Sequence, residues 1–242
     1  MSRMRIDRTR SASLVFGLLL LLPACGGDDG GGNGGGGDGG PVGEDPCGFD
    51  SDDYLPYEAG FTWTYRVTDL GTGARETKEQ RIDPEMEHPD YGAVLVQVTS
   101  KVNGETVNFM QVQGDRVVRR QQEDYDASGA LERTTVYQPH AIRIDQSPER
   151  TTPDAMWQED YTEVVTEPGV APIEVPTTDV WLVVEVDVPC ESPLGIFECI
   201  RLRRTRTQGG VAEKEFFFAR GVGKVREVGS NQLEELSACG AE

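Results

Sequence analysis

The chain predicts an all-β fold, a large antiparallel meander that closes as a barrel, a curved half-barrel or a sandwich. Three observations carry this reading. Apolar and polar residues alternate over many short runs, turn signals built on glycine and asparagine separate those runs, and nothing after the N-terminal region repeats at helical spacing. Roughly eleven to thirteen short strands are expected between residues 47 and 242, preceded by a leader (1–24) and a tether (25–46).

The leader starts with Arg3, Arg5, Arg8 and Arg10, followed by an apolar run from Leu14 to Leu22 interrupted only by Gly17. A membrane-spanning helix needs about 20 apolar residues, so this run has the length of a signal-peptide core. It ends in Leu22-Pro23-Ala24-Cys25-Gly26, which resembles the lipobox of bacterial lipoproteins, with Pro23 departing from the usual small or β-branched residue. The resemblance implies cleavage before Cys25, acylation of Cys25, and attachment to a membrane. Gly26, rather than Asp, after the cysteine implies passage to the outer membrane, with its face left open. Twelve of the eighteen residues from Gly26 to Gly43 are glycine, and nothing apolar precedes Val42. Such a segment has no core to join and reads as a flexible spacer.

Phe61 to Val67 alternates perfectly, apolar at odd positions and polar at even ones, as a half-buried strand does. Val94, Val96 and Val98 form a second such face. Asn103-Gly104 is the clearest hairpin signal, because both residues accept positive φ. Further turns are expected at Gly114-Asp115, Ala127-Ser128-Gly129 and Gly209-Gly210, each flanked by strand-like sequence. Val180 to Val188 is the most apolar run, with five aliphatic residues on one face and Trp181 and Val183 on the other. It reads as a central strand. Short helical turns are expected near Pro84–Glu87 and Pro153–Gln158.

With Cys25 assigned to lipid, four cysteines remain. An even number in an exported chain reads as disulfides, for which three pairings exist. Cys190 with Cys199 is favoured because it closes a short loop, which leaves Cys47 with Cys239 to staple the two ends of the domain together. No Cys-x-x-Cys or Cys/His cluster offers a metal site.

A second resemblance covers about fifteen residues at the ends of the domain. Gly60, Trp63 and Tyr65 form a Gly-x-x-Trp-x-Tyr start, and Phe216 to Val225 contains an aromatic strand followed by Ala219-Arg220-Gly221-Val222-Gly223. Both look like motifs of secreted and lipid-anchored bacterial β domains, which implies a curved sheet like that of lipoprotein carriers.

The chain holds 42 acidic and 23 basic residues, a net charge of −19. A surface this negative argues against nucleic acid as a partner and against electrostatic docking on anionic lipid. Motifs of catalysis are missing. No serine sits in a Gly-x-Ser-x-Gly elbow, and the two histidines, His88 and His140, fall in loop or turn sequence. Adjacent carboxylates carry little information among so many. Asp50, Asp52 and Asp53 lack the glycine and distal glutamate of a calcium loop. Arg201, Arg203, Arg204 and Arg206 are the single basic cluster. Along a strand they divide between two faces, with Glu213 and Glu215 as cross-strand partners. No catalytic residue, metal or cofactor is therefore expected. The expected role is that of a non-enzymatic, lipid-anchored envelope protein holding an apolar small molecule, with Phe61, Trp63, Tyr65, Trp181, Phe216 and Phe218 lining its interior. The alternative is a tethered interaction or structural module with a filled core that binds an envelope protein.

Overall fold

The computed structural model describes residues 46–49 and 51–241. The leader, Cys25, Asp50 and the glycine-rich tether lie outside the described residues. Twelve strands follow in order: β1 (Phe61–Asp69), β2 (Arg75–His88), β3 (Gly92–Lys101), β4 (Gly104–Gln113), β5 (Arg116–Asp126), β6 (Leu131–Asp145), β7 (Met156–Thr166), β8 (Ile173–Ser192), β9 (Gly195–Thr207), β10 (Val211–Ala219), β11 (Gly223–Val228) and β12 (Gln232–Ala241). Each pairs antiparallel with its neighbours in sequence, and β1 closes the ring against β12. The meander is thus an up-and-down barrel, the closed alternative among the three left open by the sequence, and closure gives every strand a paired neighbour on both sides.

The turns follow their local chemistry. Gly114-Asp115 joins β4 to β5, where Gln113 pairs Arg116, and Gln208-Gly209-Gly210 joins β9 to β10. The β3–β4 loop is Val102-Asn103, one residue earlier than the Asn-Gly signal suggests. Gly104 itself opens β4 at φ +139°, so close to β5 that a Cβ there would lie 2.0 Å from the Tyr125 carbonyl oxygen.

Three local expectations need correction. Pro84–Glu87 is not helical. It lies in β2, where the register steps from Asp83 to Met86 and leaves Pro84 in a bulge, a position that needs no backbone N–H. A 3-10 turn forms at Pro148–Arg150, with proline at its first turn, and β7 is already extended from Met156. In β8, the five aliphatic residues do not share one face: the register shifts between Val183 and Val188 change the phase, and Val186 and Val188 pack against the core. Trp181 (1% exposed) and Val183 point in, while Val180, Leu182 and Val184 are half-buried on the outer wall. The large interior takes the indole, which stacks 6.0 Å from Trp157 and lies 5.6 Å from Phe216.

One end of the barrel is closed by the chain's own N-terminal segment. Cys47 is bonded to Cys239 near the end of β12, and Cys190 to Cys199 at the β8–β9 hairpin. Phe49 stacks on Phe61 at 4.1 Å and meets Trp63 edge-on at 5.4 Å. The indole N–H of Trp63 donates to the carbonyl of Val222 at 2.7 Å. Gly223, at φ +97°, makes room for that indole, since a Cβ there would lie 2.9 Å from Nε1. The Gly60–Tyr65 and Ala219–Gly223 stretches, distant in sequence, thus pack directly on each other.

The outer wall carries ion pairs along the strands: Arg66 with Glu235, Arg81 with Asp83, and Arg201 with Glu185 and Glu215. A lipid-facing barrel band is apolar and tolerates such charges poorly, so this wall faces water. No helix among the described residues is long and apolar enough to cross a membrane.

Candidate functional site

In β2, β9 and β10 the inward positions change from apolar to polar along the strand, whereas those of β1 stay apolar. From the closed end outward, β1 presents Phe61, Trp63, Tyr65 and Val67. β2 presents Ile82, then Gln80 and Lys78. β9 presents Ile200 and Leu202, then Arg204 and Arg206, and β10 presents Phe218 and Phe216, then Lys214. Side chains alternate in and out with a period of two, so polar residues in the inward phase are carried inside. An eight-stranded barrel is just filled by its own side chains, whereas twelve strands enclose a wider space. Aromatics and the N-terminal segment fill one half of it. The other half is a cavity of about 340 Å³ walled almost entirely by polar groups and reaching the exposed rim residues Lys101 and Arg133.

Eight cationic side chains and three carboxylates line that cavity, in a chain that is otherwise strongly acidic. The carboxylates are all engaged. Asp124 holds Arg133 at 2.7 Å, Glu227 takes Lys214 and Lys224 at 2.6 Å each, and Glu234 takes Lys224 at 2.6 Å and also Lys78. Lys78 and Lys224 flank the face of Tyr65 at 4.9 and 4.8 Å from its centre. Burial acts to raise Glu234, but Lys224 and Lys78 outweigh it and hold its carboxyl down to about 2. Burial works to lower Lys224, and the two glutamates overcome it, so that ammonium keeps its proton. Lys78 is pushed down to about 7 by burial and by the like charge of Lys224.

Four cations remain without a carboxylate at ion-pair distance: Lys101 at the rim, and Arg119, Arg143 and Arg204 within. Arg204 is 9% exposed and lies across the rings of Trp181 (5.5 Å) and Phe216 (5.3 Å), with its Nε unbonded. Arg119 donates to Gln122 at 2.7 Å and to the Tyr137 hydroxyl at 3.3 Å, also leaving Nε unbonded. Arg143 is pushed down to about 10 by burial and by the nearby guanidiniums of Arg119 and Arg204. Beside them Asn108 is 3% exposed, and its Oδ1 has no hydrogen-bond partner.

Of the six aromatics expected to line an apolar interior, Phe61, Trp63, Trp181 and Phe218 are packed in the core with Phe49, Trp157 and Ile200. Trp63, Tyr65 and Phe218 border a residual space of about 20 Å³, the scale of a single water. Phe216 alone reaches the larger cavity, as part of its polar wall. The aromatic set is therefore mainly core.

The arginine cluster divides by face. Arg201 and Arg203 point out and pair with Glu215 at 2.8 and 3.1 Å. Arg204 and Arg206 point in, where Arg206 makes a two-pronged pair with the buried Asp179, both contacts 2.8 Å, and only Arg204 is left unpaired. His88 stacks on Tyr91 at 4.4 Å near the outer surface. His140 lies where β6 bulges away from β5 and stops pairing with β7. Glu159 of β7 bridges that break, accepting the backbone N–H of Ile142 at 2.7 Å, and burial raises its carboxyl to about 7. The backbone carbonyls of Asp52 and Asp53 are taken up by Arg220 and Gly221. Among the described residues no three His, Cys, Asp or Glu side chains gather as a metal site.

Arg119, Arg143 and Asn108 escape a reading by sequence, since isolated polar residues in strands are assigned to the wet face. A usable signal exists in runs such as Lys214-x-Phe216-x-Phe218, where a charge continues the phase of inward aromatics.

No protein-family model matches this chain, and no curated protein aligns with it. The chain is similar to a solved structure from Bacteroides fragilis, provisionally described as an exported protein with a YmcC-like fold. The match covers 78% of this chain and 99% of that one, at 14% identity and a TM-score of 0.49.

Proposed function

We propose that this protein is an exported, lipid-anchored and non-enzymatic binding barrel that holds a water-soluble polar molecule in its lumen. The single observation that carries the reading is the polar cavity of about 340 Å³, a volume in the usual range of small-molecule sites. The leader and the Leu22–Cys25 sequence support export and anchoring through Cys25 at the outer membrane. Cys47 lies at the filled end of the barrel, and the polar mouth is at the opposite end. An apolar ligand fits this interior poorly, because the aromatic half is occupied by its own side chains.

The test uses the full chain, expressed with its own leader and purified in detergent. Native mass spectrometry is expected to find a dissociable polar molecule, or a site that takes one up from a cell extract. A barrel that stays empty throughout favours the tethered interaction module instead. Cys25→Ala is expected to move the protein from the membrane to the soluble fraction, and its retention in the membrane would remove the lipid anchor from the reading.

A further inference from the structure

We infer that the lumen is an anion site, in which Arg119, Arg143 and Arg204 receive a small, multiply charged oxyanion bearing carboxylate or phosphate groups. The inference rests on the binding-barrel reading above and names the class of ligand. The lining splits into two parts with different electrostatics. In one, Lys78, Lys214 and Lys224 are each paired with Glu227 or Glu234, so every ammonium there has a carboxylate in contact. In the other, three guanidiniums line one space with no described carboxylate at ion-pair distance, although acids outnumber bases 42 to 23 in the chain. Bringing like charges together in a confined space is unfavourable unless an opposite charge joins them.

The detail of the unsatisfied groups agrees. Arg204 is nine-tenths buried and carries an unbonded Nε, with its guanidinium held over Trp181 and Phe216. Arg143 donates no hydrogen bond to the other described residues, and among them Arg119 spends only its NH1, on Gln122 and Tyr137. Guanidinium forks left free in this way match the paired oxygens of carboxylates and phosphates. Gln80, Gln97 and Thr99 on adjacent strands add neutral groups that can bond the remaining polar atoms of such a ligand. The strongly negative exterior gives this site selectivity over macromolecular anions, because only a small species reaches the positive lumen past the acidic surface.

Calorimetric titration of the full chain in detergent with inorganic phosphate, citrate and neutral glucose tests the proposal. One or both anions are expected to bind, weakening as salt is added, while glucose does not bind. The relative affinity of citrate and phosphate separates the carboxylate source from the phosphate source. Arg143→Met is expected to weaken the anion by about tenfold or more, the range for losing a charge-assisted, two-pronged contact. Arg203→Met, on the outer wall, is expected to change it less than about twofold. Thermal melting without ligand keeps folding and binding apart, since relieving the repulsion should leave the Arg143→Met barrel as stable as the parent or more so. A marked loss of melting temperature in Arg143→Met would make the arginine structural and overturn the site. A lumen that takes up a neutral polar molecule but neither anion would overturn this inference and leave the binding barrel standing. A lumen that takes up nothing would end both.

Discussion

The two halves of the barrel use one backbone pattern for opposite ends. In the filled half, inward positions hold Phe61, Trp63, Ile82, Trp181 and Phe218, and the N-terminal segment from Cys47 to Tyr57 closes what the strands leave open. In the polar half, the same inward phase holds lysines, arginines and amides around an unfilled space. Stability resides where side chains interlock, and the capacity to bind resides where charges are gathered without being fully matched. Such a division is expected of proteins that accept local cost at a site and offset it elsewhere.

Substitutions at the two ends separate these roles. Trp63→Ala has the largest expected effect, a loss of about 4–5 kcal/mol, because it removes a fully buried indole, its ring contacts with Phe49 and Phe61, and the bond to Val222. Equilibrium unfolding in urea measures it. A loss below about 1 kcal/mol would mean that the filled end is not a close-packed core. Next is Lys224→Met in the polar half, expected to cost about 2–3 kcal/mol by removing the ammonium between Glu227 and Glu234, each of which keeps only one lysine. Its cost should shrink in acid, once the glutamates take up protons. A penalty independent of pH would point to lost packing instead of lost charge.

The smallest effect belongs to Glu159, where β6 and β7 part. Its carboxyl titrates near 7 in the folded chain against an ordinary 4.5. Below about pH 4.5 both folded and unfolded chains carry the proton, and as pH rises toward 7 only the unfolded chain releases it freely. Stability therefore falls across that window and stays lower above it. Glu159→Gln keeps an oxygen for the Ile142 N–H and is expected to gain about 1–2 kcal/mol at pH 8 and almost nothing at pH 4. Melting curves across that range test it. An equal gain at both values would assign the effect to packing.

Much of the fold could be read locally. The alternation of Phe61–Val67 is a strand with its odd positions inside, and the Gly114-Asp115 and Gly209-Gly210 signals are turns. These follow from steric preferences of a few consecutive residues, which do not depend on the rest of the chain. The cavity could not be read in this way. Arg204 differs from Arg203 by a single step in phase, and that step sends one guanidinium to Glu215 outside and the other to an unpaired place within. β8 departs from its sequence pattern for a related reason. Register shifts between Val183 and Val188 change its phase, so Val186 and Val188 pack on the core while Val180 and Leu182 lie opposite Trp181.

The sequence by itself determined that the chain is a series of antiparallel strands, where most of them turn, and, in strands without bulges, which residues share a face. It also contains the leader and the Cys25 lipobox resemblance, which lie outside the described residues. Closure of the ring, the filling of one end and the unmatched charge at the other were decided by the tertiary structure alone. Periodicity is a property of neighbouring residues. The radius of a barrel, and what meets across its interior, depends on strands more than a hundred residues apart, such as β1 and β12.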